Sequence, residues 1–228
     1  MTGTLFFITG TDTGVGKTLV ATALLEAARQ HGLEAIGIKP VAAGCEPGER
    51  SLLNADAIEL RAASSGDPDY RQINPVALEP AIAPHIAAEQ AGIALDVGTL
   101  ADHCREMTAS GITIIEGAGG WLVPLNDTET MADLCAELDA AAVLVVGMRL
   151  GCINHALLSV AAIEGSGVRL AGWVGVCIEP DMPALQENLT TLRKRIDAPC
   201  LGTIPWLDPC HAEAAAQHID LRLLLDAM

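Results

Sequence analysis

Gly10-Thr11-Asp12-Thr13-Gly14-Val15-Gly16-Lys17-Thr18 stands between an apolar, strand-like run, Thr4-Leu5-Phe6-Phe7-Ile8-Thr9, and a helix-like run from Thr18 to Gln30. A glycine-rich turn so placed aims backbone N–H groups, and the positive end of a helix dipole, at one point. Lys17 adds a full charge there, and the Thr18 hydroxyl can reach a magnesium ion. Together these groups hold a nucleoside triphosphate. The usual spacing is glycine, four residues, then Gly-Lys-Ser/Thr. Here the first-glycine position is Thr11 and the nearest glycine is Gly10, so the loop is one residue longer than usual.

The rest of the chain alternates strand and helix. Strands are predicted over 4–9, 34–39, 111–116, 141–147, 169–177 and 199–204, and helices over 17–30, 54–63, 84–91, 97–109, 130–137, 153–165 and 182–195. Several strands are near-continuous aliphatic runs, as in 141–147, which is the pattern of strands covered on both faces. The expected fold is therefore α/β: one P-loop NTPase-like domain over 1–228, three layers, a mostly parallel sheet with helices on both faces. Asn54 and Thr130 read as N-caps. The stretches 44–53 and 64–75, rich in Gly, Ser, Pro and Asp, read as surface loops, and 211–228 as an amphipathic helix.

Composition narrows the function. No apolar run reaches the length of a membrane span, and the N-terminus enters a strand without a basic segment and apolar helix of a leader. The seven cysteines are odd in number, scattered and never spaced Cys-x-x-Cys, which suits reduced thiols in a cytoplasm. A formal charge of −16 opposes binding to nucleic acid or anionic membrane. There are only three lysines, Lys17, Lys39 and Lys194, and two of them follow apolar strands near the N-terminus. In so acidic a chain, positive charge placed there serves an anionic ligand.

Ligands of such sheets bind at the carboxyl ends of strands. Lys39-Pro40-Val41-Ala42-Ala43-Gly44 follows the second strand there. Glu116-Gly117-Ala118-Gly119-Gly120 follows the third; a carboxylate in that place holds or orients magnesium, and the glycines let backbone approach a ligand. Asp56, in a first helix turn, can aim at the same ion or serve only the helix dipole. Leu150-Gly151-Cys152-Ile153-Asn154-His155-Ala156 follows the fourth, where Asn154 reads as a helix cap and Cys152 as a small packing residue. Trp121, Trp173 and Trp206 read as core or rim packing. Residue chemistry alone reaches a magnesium-dependent P-loop enzyme or ATPase with a second lysine near the phosphates.

These segments, with Asn54-Ala55-Asp56, Ala171-Gly172-Trp173-Val174 and Leu201-Gly202-Thr203-Ile204-Pro205-Trp206-Leu207, occur in an order that closely resembles the dethiobiotin synthetase family over about residues 4–207. The resemblance implies closure of a ureido ring on 7,8-diaminononanoate using CO2 and ATP. A carbamate would form on one amine and attack the γ-phosphate, and the second amine would then displace phosphate from the mixed anhydride. It implies Lys39 and Lys17 as catalytic lysines. It implies a nucleotide site of Thr13, Gly14, Val15, Gly16, Lys17, Thr18, Asp56, Glu116, Gly117, Ala118, Gly119, Pro205, Trp206 and Leu207. Magnesium would fall to Thr18, Asp56 and Glu116, and the diamine to Lys39, Ala43, Leu150, Gly151, Cys152 and Asn154. The last four would reach the substrate's carboxylate tail from the partner subunit of a homodimer.

Three positions depart from that family's pattern: Ala43 replaces a frequent serine, Val176 an asparagine that reads adenine, and Asn188 a tyrosine near the substrate tail. A partitioning-type nucleotide-switch ATPase is the rival from another class. Such proteins usually carry an extra lysine early in the loop, where this chain has Thr11-Asp12. An amidotransferase-linked synthetase would need a glutaminase domain that 228 residues do not accommodate. A catalytically silent binding module would have no use for Lys17, Lys39, Asp56 and Glu116 together.

Overall fold

A computed structural model of the chain describes residues 3–49 and 51–226. Six strands form the main sheet: β1 (Thr4–Gly10), β2 (Ala35–Ile38), β3 (Ile112–Gly120), β4 (Ala141–Met148), β5 (Leu170–Cys177) and β6 (Cys200–Ile204). Their order is β6-β5-β4-β1-β3-β2, and every adjacent pair is parallel. All eight residues of β4 are buried. Because side chains alternate across a strand, each central strand feeds two cores. Phe7, Ile115, Leu144 and Trp173 pack on one face; Phe6, Ile8, Ile114, Val143 and Val174 pack on the other.

The principal helices are α1 (Lys17–Gln30), α2 (Ala55–Ala63), α3 (Pro84–Ala91), α4 (Val97–Glu106), α5 (Met131–Glu137), α6 (Cys152–Gly165) and α7 (Leu185–Arg195). Val20 and Leu24 of α1 and Leu60 of α2 cover the face of Phe6. Leu100 of α4, Leu134 of α5, Ile163 of α6 and Leu192 of α7 cover the face of Phe7. The result is the expected three-layer α/β sandwich.

Several boundaries differ from the sequence reading. β3 does not end at Glu116 but continues through the glycines to Gly120. Its register against β1 shifts, so that Ile8 faces Glu116 and Gly10 faces Gly120. Two steps along β1 therefore match four along β3, an irregularity that bends the strand and re-aims it at the site. Gly119, at φ 66, takes the left-handed turn that this bend requires. Helix α4 stops at Glu106 rather than 109, because the Ala109 N–H leaves the helix for Thr113 Oγ1 at 3.0 Å. Helix α7 begins at Leu185 rather than 182, after Ala184 at φ 56. Helix α6 begins at Cys152, and its cap is Gly151, so Asn154 lies inside the first turn and does not cap it. Asn54 caps α2 as expected, accepting the Ala57 N–H at 3.2 Å. Thr130 precedes α5, its N–H and hydroxyl both donating to Asp133 Oδ2 at 2.7 Å.

The supposed surface loops also hold structure. In the first, Glu46–Pro47 pairs antiparallel with Leu52–Leu53. The second contains a short helix, Tyr70–Ile73, with Asp69 and Gln72 forming a capping box. The C-terminal stretch is two short helices, Ala212–Ala216 and Leu221–Asp226, not one. Between them the Asp220 N–H donates to the Leu201 carbonyl at 2.7 Å and Ile219 bridges to Gly202, so the break covers the sheet edge at β6. Ala227 and Met228, the end of that predicted helix, lie outside the described residues. No helix among the described residues is long and apolar enough to cross a membrane.

Candidate active site

The loop between β1 and α1 is built around Asp12. Its Oδ1 accepts the Thr13 N–H at 2.8 Å, its backbone carbonyl accepts Lys17 Nζ at 3.0 Å, and its Oδ2 accepts Arg149 Nη2 at 2.6 Å. Gly16 caps α1 at φ 91, and a Cβ there would come within 2.9 Å of Val176 Cγ1. Only glycine meets both demands. Lys17 is 7% exposed. Burial, helped by repulsion from Lys39, lowers its pKa from 10.5 to about 8.

Lys39, at the end of β2, is equally enclosed. Its Nζ donates to Asp56 Oδ2 at 3.0 Å and to Glu116 Oε1 at 2.5 Å. Burial alone would lower its pKa, but the attraction of Glu116 and Asp56 outweighs that and raises it. In return, Lys39 overcomes the desolvation of Asp56 and lowers that carboxyl's pKa. The Thr18 hydroxyl donates to Glu116 Oε1 at 3.0 Å. The other Glu116 oxygen, Oε2, is buried without a hydrogen-bond partner among the described residues.

These groups open onto one cleft of about 790 Å³. Of the residues singled out in the sequence, Thr13, Gly14, Gly16, Lys17, Thr18, Lys39, Ala43, Asp56, Glu116, Ala118 and Gly119 line it. Val15 does not: it is buried, and its methyl lies where a Cβ on Gly147 would meet it at 2.8 Å. Gly117 does not line it either; a Cβ there would meet the Phe7 ring at 2.9 Å. Pro205, Trp206 and Leu207 lie outside the cleft lining, and Trp206 is 49% exposed rather than core. Leu150, Gly151, Cys152 and Asn154 also lie outside it. Cys152 is buried, with its Sγ 3.8 Å from Asn188 Oδ1, whereas Leu150 is fully exposed.

Sequence reasoning missed one wall, Ala81, Ile82, Ala83 and Pro84, together with Val123, and did not place the helix cap Asn54 in the lining. The Ala81–Pro84 wall is apolar, and a search for charged groups at strand ends passes over it. It also missed Arg149. The rule that drew attention to Lys39, a cation just past an aliphatic strand in an acidic chain, applies equally to Arg149 after β4.

Known proteins resemble the chain over nearly its whole length. A family model described as an AAA domain matches residues 4–214. The ATP-dependent dethiobiotin synthetase BioD of Cellvibrio japonicus is 56% identical over 223 residues, spanning 97% of this chain and 98% of that protein. Its namesakes in Pseudomonas aeruginosa UCBPP-PA14 and Chromohalobacter salexigens are 51% and 47% identical, each over 96% of this chain. Among solved structures, the signal recognition particle receptor FtsY from Elizabethkingia anophelis in complex with GDP has a TM-score of 0.54 at 11% identity, covering all of this chain and 63% of that one. FtsY from Thermotoga maritima has 0.52 at 13%, covering 99% and 68%. At such identities the likeness concerns the fold alone, a P-loop NTPase-like sheet. The near-complete match to the synthetases goes further: the chain belongs to the ATP-dependent dethiobiotin synthetase family.

Proposed function

We propose that the chain carries out the ATP- and Mg2+-dependent ring-closing carboxylation of 7,8-diaminononanoate with CO2, yielding dethiobiotin, ADP and phosphate. The observation that carries this reading is the convergence of Lys17 and Lys39 on one cleft beside Thr18, Asp56 and Glu116. One domain over 1–228 is the working unit, and the seven free thiols favour a cytoplasmic setting.

A magnesium ion fits the donor set. Thr18 and the carboxylates of Asp56 and Glu116 offer hard oxygens, and Glu116 Oε2 is buried with no hydrogen-bond partner among the described residues. Bound there with the triphosphate, the ion would neutralise phosphate charge during transfer.

The chain's own groups divide the remaining work. Backbone N–H groups from Thr13 to Thr18 would cradle the phosphates, with Gly117 to Gly119 closing over them and Pro205 to Leu207 flanking the base. Lys17 would span the β- and γ-phosphates, exchanging the Asp12 carbonyl for phosphate oxygens. Lys39 would meet the carbamate formed when one amine adds to CO2 and loses a proton. The carbamate oxygen then attacks the γ-phosphorus as ADP leaves. The second amine attacks the carbamoyl carbon, expelling phosphate and closing the ring. Lys39, already pinned between two carboxylates, needs little rearrangement to stabilise the developing charge. No covalent enzyme intermediate is required, and holding the reactants together contributes roughly 7–11 kcal/mol.

Ala43 would touch the diamine beside Lys39. Leu150, Gly151, Cys152 and Asn154 would bind the substrate's carboxylate across a homodimer interface. Their position outside this chain's own cleft, with Leu150 fully exposed, is what a role in a neighbouring subunit's site requires.

Phosphate release tests the reading. It should depend on diamine, bicarbonate and Mg2+ together, with dethiobiotin formed in equal amount. Release from ATP alone at the full rate would point to a switch ATPase instead.

A further inference from the structure

Two residues outside the reaction cleft bind the backbone of both segments that deliver its charges. Tyr70 is the chain's single tyrosine. Its hydroxyl accepts the Asn54 N–H at 2.7 Å and donates to Asn74 Oδ1 at 3.1 Å. Asn74 Nδ2 in turn donates to the Lys39 carbonyl at 2.7 Å and to the Val76 carbonyl at 3.1 Å. The Lys39 N–H donates to the Ile73 carbonyl at 2.8 Å, one residue before Asn74. Asn54 caps the helix whose first turn carries Asp56. One hydroxyl thus joins the segment of Lys39 to the helix turn of Asp56, and the two side chains meet at 3.0 Å. Asn74 is 3% exposed and Asn54 8%. Neither Tyr70 nor Asn74 lines the reaction cleft; both line a separate cavity of about 340 Å³.

We propose that Tyr70 and Asn74 are positioning residues for the reaction: from outside the cleft they fix the separation of Lys39 and Asp56. The proposal rests on the reading of Lys39 as the cation that meets the carbamate. Its physical basis is that a charged group works only if held within a fraction of an ångström, and buried hydrogen bonds to its own backbone do that. Outer residues that orient a working carboxylate typically matter about 10–100-fold. The phosphate loop has its own supports at Asp12, so of the nucleotide's contacts the strut bears only on Asp56.

The test uses the full-length chain and separates kcat from KM. Tyr70→Phe keeps the ring and removes the hydroxyl. Asn74→Asp keeps an acceptor for Tyr70 but cannot donate to the Lys39 carbonyl. Each should lower kcat for dethiobiotin formation about tenfold or more while moving KM for ATP less than threefold. Leu224→Ala, in the core beside β6 at the opposite edge of the sheet from β2, serves as a destabilised comparator that should keep kcat. All are assayed well below their thermal transitions, so unfolded protein does not enter the rate. If Tyr70→Phe does not fold, Asn74→Asp decides. Retention of kcat within twofold in the folded strut variants would overturn the proposal. So would an equal fall of kcat in Leu224→Ala. Failure of the wild-type chain to make dethiobiotin would instead overturn the functional reading beneath it.

Discussion

Lys39 and Glu116 meet as a sealed pair, Nζ donating to Oε1 at 2.5 Å with side chains only 5% and 1% exposed. A buried pair adds little net stability when intact, but removing one partner strands the other at a cost of about 3–5 kcal/mol. Lys39→Ala should therefore destabilise the unliganded protein by about that much, keep nucleotide binding through the phosphate loop, and lose most dethiobiotin formation. Adding Glu116→Gln should restore much of the stability and none of the activity. Urea unfolding alongside a dethiobiotin assay checks both. Wild-type turnover in Lys39→Ala would reduce Lys39 to a structural ion.

Lys17 gives a pH signature. Burial first, then the charge of Lys39, lowers its pKa from 10.5 to about 8 in the fold. Between those values the unfolded chain binds the extra proton, so this group makes stability rise with pH from about 8 to 10.5. A triphosphate beside Lys17 favours the charged form and reverses the shift. Nucleotide binding at pH 9 should then take up close to one proton, and much less at pH 7, where Lys17 is already charged. Calorimetric titration at pH 9 in two buffers of different ionisation heat measures this. Equal heats in both would contradict the placement of Lys17 against phosphate.

What could be read from the sequence follows from where burial is two-sided. β4 is aliphatic at every position because both its faces are covered, so its limits were legible to one residue. The phosphate loop was legible because its backbone demands glycine. The course of β3 past Glu116 was not, since the same glycines serve a turn or a bent strand equally well and only pairing with Gly10 decides. The C-terminal break was not legible either, because it depends on a bond from Asp220 to Leu201, nineteen residues away in sequence. By itself Lys39 is only a cation past an apolar strand. Its weight comes from Asp56 and Glu116, and no local pattern tells that a residue 77 positions away will accept a hydrogen bond from it.

Val176 sets the third expectation. It is 3% exposed, and its methyls lie against Gly16 of the phosphate loop. By resemblance this is where the family often uses asparagine to read adenine. A side chain that hydrogen-bonds a ligand rejects analogues by about 10⁴–10⁵, whereas an apolar contact discriminates by about 10² at most. Turnover with CTP, GTP and UTP should accordingly fall within about a hundredfold of that with ATP, since the phosphate contacts are shared. An exclusive preference for ATP would mean that other groups read the base.

The last expectation concerns assembly. Leu150 is fully exposed and Leu158 is 62% exposed, with exposed Asn154 midway between them. The 154–158 spacing of four sets those two side chains on one face of α6, and Leu150 stands just ahead of its first turn. Apolar side chains left bare beside a polar amide suit a contact with a second copy, and in a two-fold interface each contact occurs twice. Burying one leucine contributes roughly 1.5–3 kcal/mol. Leu158→Asp removes that in both copies and sets two carboxylates against an acidic partner. If the proposed homodimer forms, the variant should sediment as a monomer at concentrations where the wild type sediments as a dimer. It should also lose turnover, because under the proposed function each cleft would lose the Leu150–Asn154 segment of the other copy, while nucleotide still binds at Lys17. Sedimentation velocity and a turnover assay on the same samples test the two halves separately. A wild-type chain that is monomeric and fully active would refute the shared site.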